Sequence, residues 1–252
     1  AISFNIVFTS VPARSIETIY PATDFDNTKF IYNFTGYVPE GIVNKIDGSK
    51  TTSKRPLVIA YRGRPLPIRY GRLGQEKIEI GKFVKNHCLK LGVQCDIEWD
   101  EFTRIYNDKW YKFIESSRAM LGTESGSNVF DWNGNIESAI EKFQVTRPQA
   151  SRSDIYNNVV ERHEIDGLMN QVSPRVFEMA AARTVMVLFE GSYSDILEPY
   201  THFLPLKKDF NIVCNFGILV EPPINTISSM LFFDILESFN TFSTGAIQRL
   251  KI

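Results

Sequence analysis

Apolar residues along this chain follow two alternating rhythms. Between about residues 54 and 206, short uninterrupted apolar runs give way to segments whose apolar positions recur every three or four residues. Leu57-Val58-Ile59-Ala60-Tyr61 is apolar on both sides of a pleat, as a parallel strand covered on both faces requires. Residues 76–91 carry Ile78, Phe83, Val84 and Cys88 at helical spacing, and Gly92 marks the stop. Val93-Gln94-Cys95-Asp96-Ile97 predicts the next strand, and Asp108 caps a helix running to about residue 117. A short strand at Ala119-Met120-Leu121, a helix over 136–143, a helix opening at Ser173, a strand over 184–189 and a last strand over 202–206 complete the series. Such alternation predicts an α/β domain with a Rossmann-like parallel sheet. Ligands in such sheets bind outside the carboxyl ends of the strands.

The two ends of the chain depart from this rhythm. Residues 5–9 and 29–34 read as strands, with a short helix between them at 13–20, and Asp47-Gly48-Ser49-Lys50-Thr51-Thr52-Ser53 reads as a linker. Two strands and one short helix do not make a stable domain. Residues 1–50 are therefore expected to be the remnant of an earlier domain, with the nucleotide-binding domain at 51–210. Residues 211–252 carry only Glu221, Asp234, Glu237, Arg249 and Lys251 as charges, are broken by Pro222-Pro223, and read as an atypical tail. The start at Ala1 without a Met predicts a processed, trimmed or partial chain.

With 252 residues and 43% hydrophobic content, the chain can bury a substantial core. A formal net charge of -1 provides no global basic field, so nucleic acid is not expected as a partner. No apolar run approaches the roughly 20 residues of a bilayer span, and no leader is evident at the amino end. Cys88, Cys95 and Cys214 lack metal spacing, and their odd number argues against a disulfide framework. The expected compartment is the reducing cytoplasm. Asn33-Phe34-Thr35 matches a glycosylation sequon of the kind chance supplies often.

The richest chemistry lies around Ser173-Pro174-Arg175-Val176-Phe177-Glu178-Met179-Ala180-Ala181. Ser173 suits an N-cap and Pro174 the first helical position, so unpaired N–H groups and a positive dipole end face outward here. Arg175 adds a fork-shaped cation suited to phosphate or diphosphate. Glu178, a turn further in, is placed to accept hydrogen bonds from sugar hydroxyls. An ordinary capped surface helix would read the same way.

Other loops are expected at the same sheet edge. Lys54, Arg55, Arg62, Arg64, Arg69, Arg72 and Lys77 form a basic cluster broken only by Glu76. Within it, Arg62-Gly63-Arg64 follows the first strand of the domain, where arginines can match phosphate oxygens. It lacks both the Walker and the dinucleotide-binding spacing, and a solvated basic loop is the competing reading. Gly122-Thr123-Glu124-Ser125-Gly126-Ser127 and Glu190-Gly191-Ser192-Tyr193-Ser194 follow two further strands, offering small hydroxylated residues to phosphate or sugar. Trp132 or Phe130 is a candidate ring for stacking on a base. Asp24-Phe25-Asp26 matches the DxD pattern of metal-holding sugar transferases, but it falls in the incomplete first unit and no metal site is expected. Of His87, His163 and His202, only His163, beside Glu164, is placed to act as an acid or base. No nucleophile elbow is present.

On these residues the chain resembles the glycosyltransferases of the GT-B fold, and within them the family-1-like group containing the spore-maturation-protein-type (CgeB-like) transferases of bacterial surface-sugar clusters. The likeness runs over about residues 1–210 and is most specific at the Ser173–Ala181 segment, the strand after it and the Glu190–Ser194 loop. It implies two Rossmann-like domains facing across a cleft, this chain holding the carboxyl-terminal, donor-binding half. It implies that Glu178 holds the ribose hydroxyls and that Arg175 and the helix start face the diphosphate, with Arg62, Arg64 and Lys77 assisting. The other donor-site candidates are Ser173, Gly126, Ser127, Gly191, Tyr193 and Ser194. The implied activity is sugar transfer from a nucleoside diphosphate sugar to an acceptor hydroxyl in surface-glycan synthesis, without metal or other cofactor. The acceptor would be a glycan or lipid-linked hydroxyl, the latter compatible with peripheral membrane contact.

Two departures bear on that reading. Many retaining GT-B enzymes carry a second Glu eight residues before the ribose-binding one, and Asn170 stands there, leaving the stereochemical outcome open. No closing helix is recognisable after residue 210, and most of the acceptor domain is missing, so donor binding without transfer is one expectation for this chain. A non-catalytic nucleotide- or sugar-binding module of the same architecture is the alternative. A doubly wound regulatory domain is a third reading, which would want an acidic pocket at the strand ends.

Overall fold

The computed structural model of the chain describes residues 5–44, 46 and 54–209. The expected linker after residue 46 and the atypical tail lie outside the described residues. The elements in chain order are strand β1 (Ile6–Thr9), helix α1 (Ile16–Ile19), β2 (Lys29–Tyr32), α2 (Glu40–Val43), β3 (Leu57–Arg62), α3 (Gly71–Leu91), β4 (Cys95–Glu98), α4 (Asp108–Glu115), β5 (Ser117–Gly122), α5 (Asn135–Thr146), α6 (Arg152–Ile155), α7 (Pro174–Ala181), β6 (Val185–Phe189) and β7 (Leu204–Leu206). Five strands form one sheet in the order β4-β3-β5-β6-β7, every pair parallel. The class is α/β with a Rossmann-like parallel sheet, as the apolar runs predict.

The period of two along each strand divides the core between the sheet's faces. Ile59, Tyr61, Ala119, Leu121, Val185, Val187 and Phe189 point to the face covered by Ile80, Val84 and Cys88 of α3. Their neighbours Ala60, Met120, Met186 and Leu188 point the other way, onto Phe113 and Ile114 of α4 and Val176, Phe177, Met179 and Ala180 of α7. Each large aliphatic or aromatic side chain sealed in these layers contributes about 1.5–3 kcal/mol.

Arg55 fastens the opposite, amino-terminal end of the sheet. Its guanidinium donates to the carbonyls of Ser117 (2.9 Å) and Ala182 (2.7 Å) and to Thr184 Oγ1 (2.6 Å), tying together the starts of β3, β5 and β6. It therefore does not belong with the cations expected at the ligand edge. Burial lowers its pKa from the usual arginine value.

Helix α3 begins five residues before the expected start. Its first turn is completed by the carboxylate of Glu164, which accepts the backbone N–H of Arg72 from 92 residues away. No local pattern carries such a cap. Gly92, at φ 65°, ends the helix as its position predicts. The helical stretch from Arg152 to His163 has no counterpart in the elements expected from the sequence; it opens with a Ser151–Asp154 capping box and contains a π-helical turn at Tyr156–Val160.

Strands β1 and β2 pair in parallel as a separate two-stranded sheet. The segment beyond β2 packs on the main domain. Phe34 meets Phe177 of α7 with ring centres 6.0 Å apart, and Thr35 donates to the carbonyl of Val172. Arg14 reaches the carbonyl of Gly167 at 2.9 Å, and Val11 and Ile19 cluster with Leu168.

Candidate functional site

Between β3 and β5 the chain's connections leave in opposite directions: β3 continues through α3 to β4 on one side, and β5 leads toward β6 on the other. That divergence opens a crevice at the strands' carboxyl ends, where open α/β sheets bind ligands. A cleft of about 620 Å³ lies there, lined by Arg62, Gly63 and Arg64 at the carboxyl end of β3, by residues 104–108 and Trp110 and Tyr111 around the start of α4, and by Arg175 and Glu178 of α7. A smaller recess of about 60 Å³ adjoins it, where Arg62, Arg64, Lys77, Thr123, Ser173 and Arg175 meet.

Helix α7 starts after Ser173 with Pro174 in its first turn, although the Ser173 side chain makes no capping bond. Arg175 is held by three neighbours. Its Nη2 donates to the carbonyl of Arg62 at 2.5 Å, and its guanidinium carbon lies 5.0 Å from the Tyr61 ring centre and 5.3 Å from that of Trp110. Glu178, one turn along, accepts a hydrogen bond from Trp110 Nε1 at 2.8 Å. Burial raises its pKa, opposed by that hydrogen bond and by the charge of Arg175.

The basic residues separate into different roles. Arg62 makes a two-pronged pair with Asp96, both contacts 2.8 Å, and also donates to the carbonyl of Thr103, so it fixes the loop and its charge is matched. Arg64 is exposed on the cleft rim. Lys77 donates to the Glu124 carbonyl at 2.9 Å and lies 3.4 Å from Thr123 Oγ1. Burial, then the nearby Arg175, pulls its pKa down to about 8 against the pull of Glu76 and Glu124. Arg69 pairs with Glu137.

Five candidates are taken up by the scaffold beside the cleft. Gly126, at φ 108°, sits where a Cβ would collide with the Met169 carbonyl oxygen. Ser127 is buried and donates to backbone carbonyls at Tyr70 and Val129. Gly191 faces the carboxylate of Glu124, 2.5 Å from where a Cβ would stand. Tyr193 is fully buried, its hydroxyl donating to the Phe189 carbonyl at 2.6 Å. Ser194 accepts the backbone N–H of Val172. These contacts lock the loops after β5 and β6 to each other and leave those side chains no part in the cleft lining. His163 stands on an exposed turn and does not line the cleft either. Trp132 is exposed and Phe130 packs edge-on against it at 4.9 Å, again outside the lining.

Two participants carry little sign of their role in the sequence. Glu124 is buried, and its carboxylate accepts from the Tyr193 N–H (2.8 Å), Asn170 Nδ2 (2.5 Å) and Ser192 Oγ (3.3 Å). An acid among small polar loop residues is its only signal. Trp110 gives none beyond its place on an amphipathic helix. Among the described residues no group of three His, Cys, Asp or Glu is arranged to hold a metal, and no helix is long and apolar enough to cross a membrane.

No family model matches the chain, nor does any curated protein. Among solved structures, the chain is similar to the crystal structure of TarM, at a TM-score of 0.41 and 14% identity. The alignment covers 94% of this chain and 41% of TarM, so the chain spans well under half of that protein's length. The fold class stands on the strand order itself.

Proposed function

We propose that this chain is the donor-binding half of a glycosyltransferase, taking a nucleoside diphosphate sugar into the cleft between β3 and β5. The observation that carries the reading is the convergence of Arg175 and Glu178, from one face of α7, with Arg64 and Lys77 at a single crevice. The small recess suits a phosphate group, bounded by Lys77, Arg175 and the start of α7. Glu178 is the acceptor for sugar hydroxyls, and the wider cleft accommodates the rest of the nucleotide. Charge developing on a leaving diphosphate would be offset by the same cations in a partly dehydrated site. Residues 1–50 are read as the remnant of the acceptor domain, which would supply the hydroxyl and any general base.

A second reading, a non-catalytic nucleotide- or sugar-binding module, uses the same cleft and the same cations. Calorimetric titration of the folded chain with UDP, GDP, ADP and CMP tests binding. Saturable binding of one nucleotide, weakened in Arg175→Ala and Glu178→Ala, is the expected result. Absence of binding by a demonstrably folded chain would overturn the donor site. Binding that persists without turnover, after the preceding domain is restored, would leave the module.

A further inference from the structure

Trp110 belongs to α4, which packs beside α7 on the same face of the sheet, and it touches both polar side chains that α7 sends into the crevice. Its Nε1 donates to Glu178 Oε2 at 2.8 Å, and its ring centre lies 5.3 Å from the Arg175 guanidinium carbon. Arg175 and Glu178 are three residues apart and share one face of the helix. An indole N–H is a donor only, with a single hydrogen. Bonding Oε2 therefore anchors that oxygen and narrows the rotation of the carboxylate, while Oε1 carries no hydrogen bond among the described residues.

Resting on the donor-site reading above, we propose that Trp110 is the positioning residue for sugar recognition: it turns Glu178 so that Oε1 is the acceptor offered to the ribose hydroxyls of a bound nucleotide. Without the indole N–H the carboxylate can rotate toward solvent or toward Arg175, three residues back on the same face. Selectivity for ribose would then be lost while contacts to base and diphosphate remain. A purely packing role predicts something different, an equal loss for every nucleotide.

The test compares UDP, GDP and ADP with their 2′-deoxy and 3′-deoxy counterparts on the unsubstituted chain and on Trp110→Phe, which keeps an aromatic ring and removes the N–H. The unsubstituted chain is expected to bind the preferred ribonucleotide about tenfold more tightly than at least one deoxy form, the scale of one charge-assisted hydrogen bond. In Trp110→Phe that ratio is expected to fall to about one, whatever loss of affinity both forms share. Equal weakening of both forms, or an unchanged ratio, overturns the role of Trp110 and leaves the donor site standing. Failure of the folded, unsubstituted chain to bind any of the nucleotides sinks the donor site and this proposal with it. Should Trp110→Phe not fold, the indole N–H resonance of Trp110 in the unsubstituted chain decides the same question. It is expected to stay slow to exchange when ribonucleotide is bound, and fast exchange in the complex overturns the proposal.

Discussion

On the proposed donor-site reading, Arg175 would gain its grip on phosphate from being held still. A guanidinium free in solvent loses much rotamer entropy on gripping a phosphate, whereas this one is already fixed by the Arg62 carbonyl and two aromatic rings. Replacing it by Lys keeps the charge but loses the planar fork, and nucleoside diphosphate affinity is expected to fall about tenfold. Calorimetry against the unsubstituted chain reads this directly, with the thermal midpoint as a control for folding. Lys77 adds a pH dependence. Its amine, with a pKa of about 8, is mostly charged at pH 7 and mostly neutral by pH 9. Affinity for a diphosphate should therefore decline across that interval, while Lys77→Arg, charged throughout, should flatten the profile. The sign for stability is the reverse. Unfolded Lys77 keeps its proton to about pH 10.5, so from about 8 upward the unfolded chain binds more protons at this site, and its contribution to stability rises with pH.

At the scale of elements, close backbone approaches pin the loops beside the cleft. The loop after β5 is clamped by the approach of Gly126 to the Met169 carbonyl, and the loop after β6 by Gly191 against Glu124. Gly126→Ala would place a methyl group on that oxygen at a φ that side chains rarely adopt. It should destabilise the chain by about 1–3 kcal/mol or more, read as a lowered urea midpoint. Arg55 belongs to the far end of the sheet. Arg55→Ala strands the Ser117 and Ala182 carbonyls inside the protein and is expected to cost about 2–4 kcal/mol. The folded fraction of that variant should still bind nucleotide normally, because the defect lies at the strands' amino ends. Along the sequence Arg55 and Lys77 are members of one basic cluster. Only the direction in which β3 runs between them shows that they serve opposite ends of the sheet.

For the whole molecule, the parallel sheet and the crevice are one construction: the strand order that buries both faces also splits the connections between β3 and β5. A ligand bound across that split, as proposed, would contact the β3 loop, α4 and α7 together. It should stabilise the fold by about 2.7 kcal/mol at a hundredfold excess over Kd, visible as a rise in the thermal midpoint that Glu178→Ala reduces. The α/β class, most strand positions, the start of α7 at Pro174 and the stop of α3 at Gly92 can all be read from local pattern, since hydrophobic period and cap chemistry act within a few residues. Helix α3's true start cannot, because its cap comes from Glu164. Nor can the role of Trp110, the Arg62–Asp96 pair or the burial of Tyr193, all products of partners brought together by the fold. Sequence by itself thus determined the five strands of the main sheet, the existence of α3, α4, α5 and α7, and which loops follow the strands' carboxyl ends, but not the helical stretch from Arg152 to His163. Tertiary structure alone decided which polar side chains in those loops stay available to a ligand and which are spent holding the loops, because hydrogen-bond partners are assigned by proximity in space.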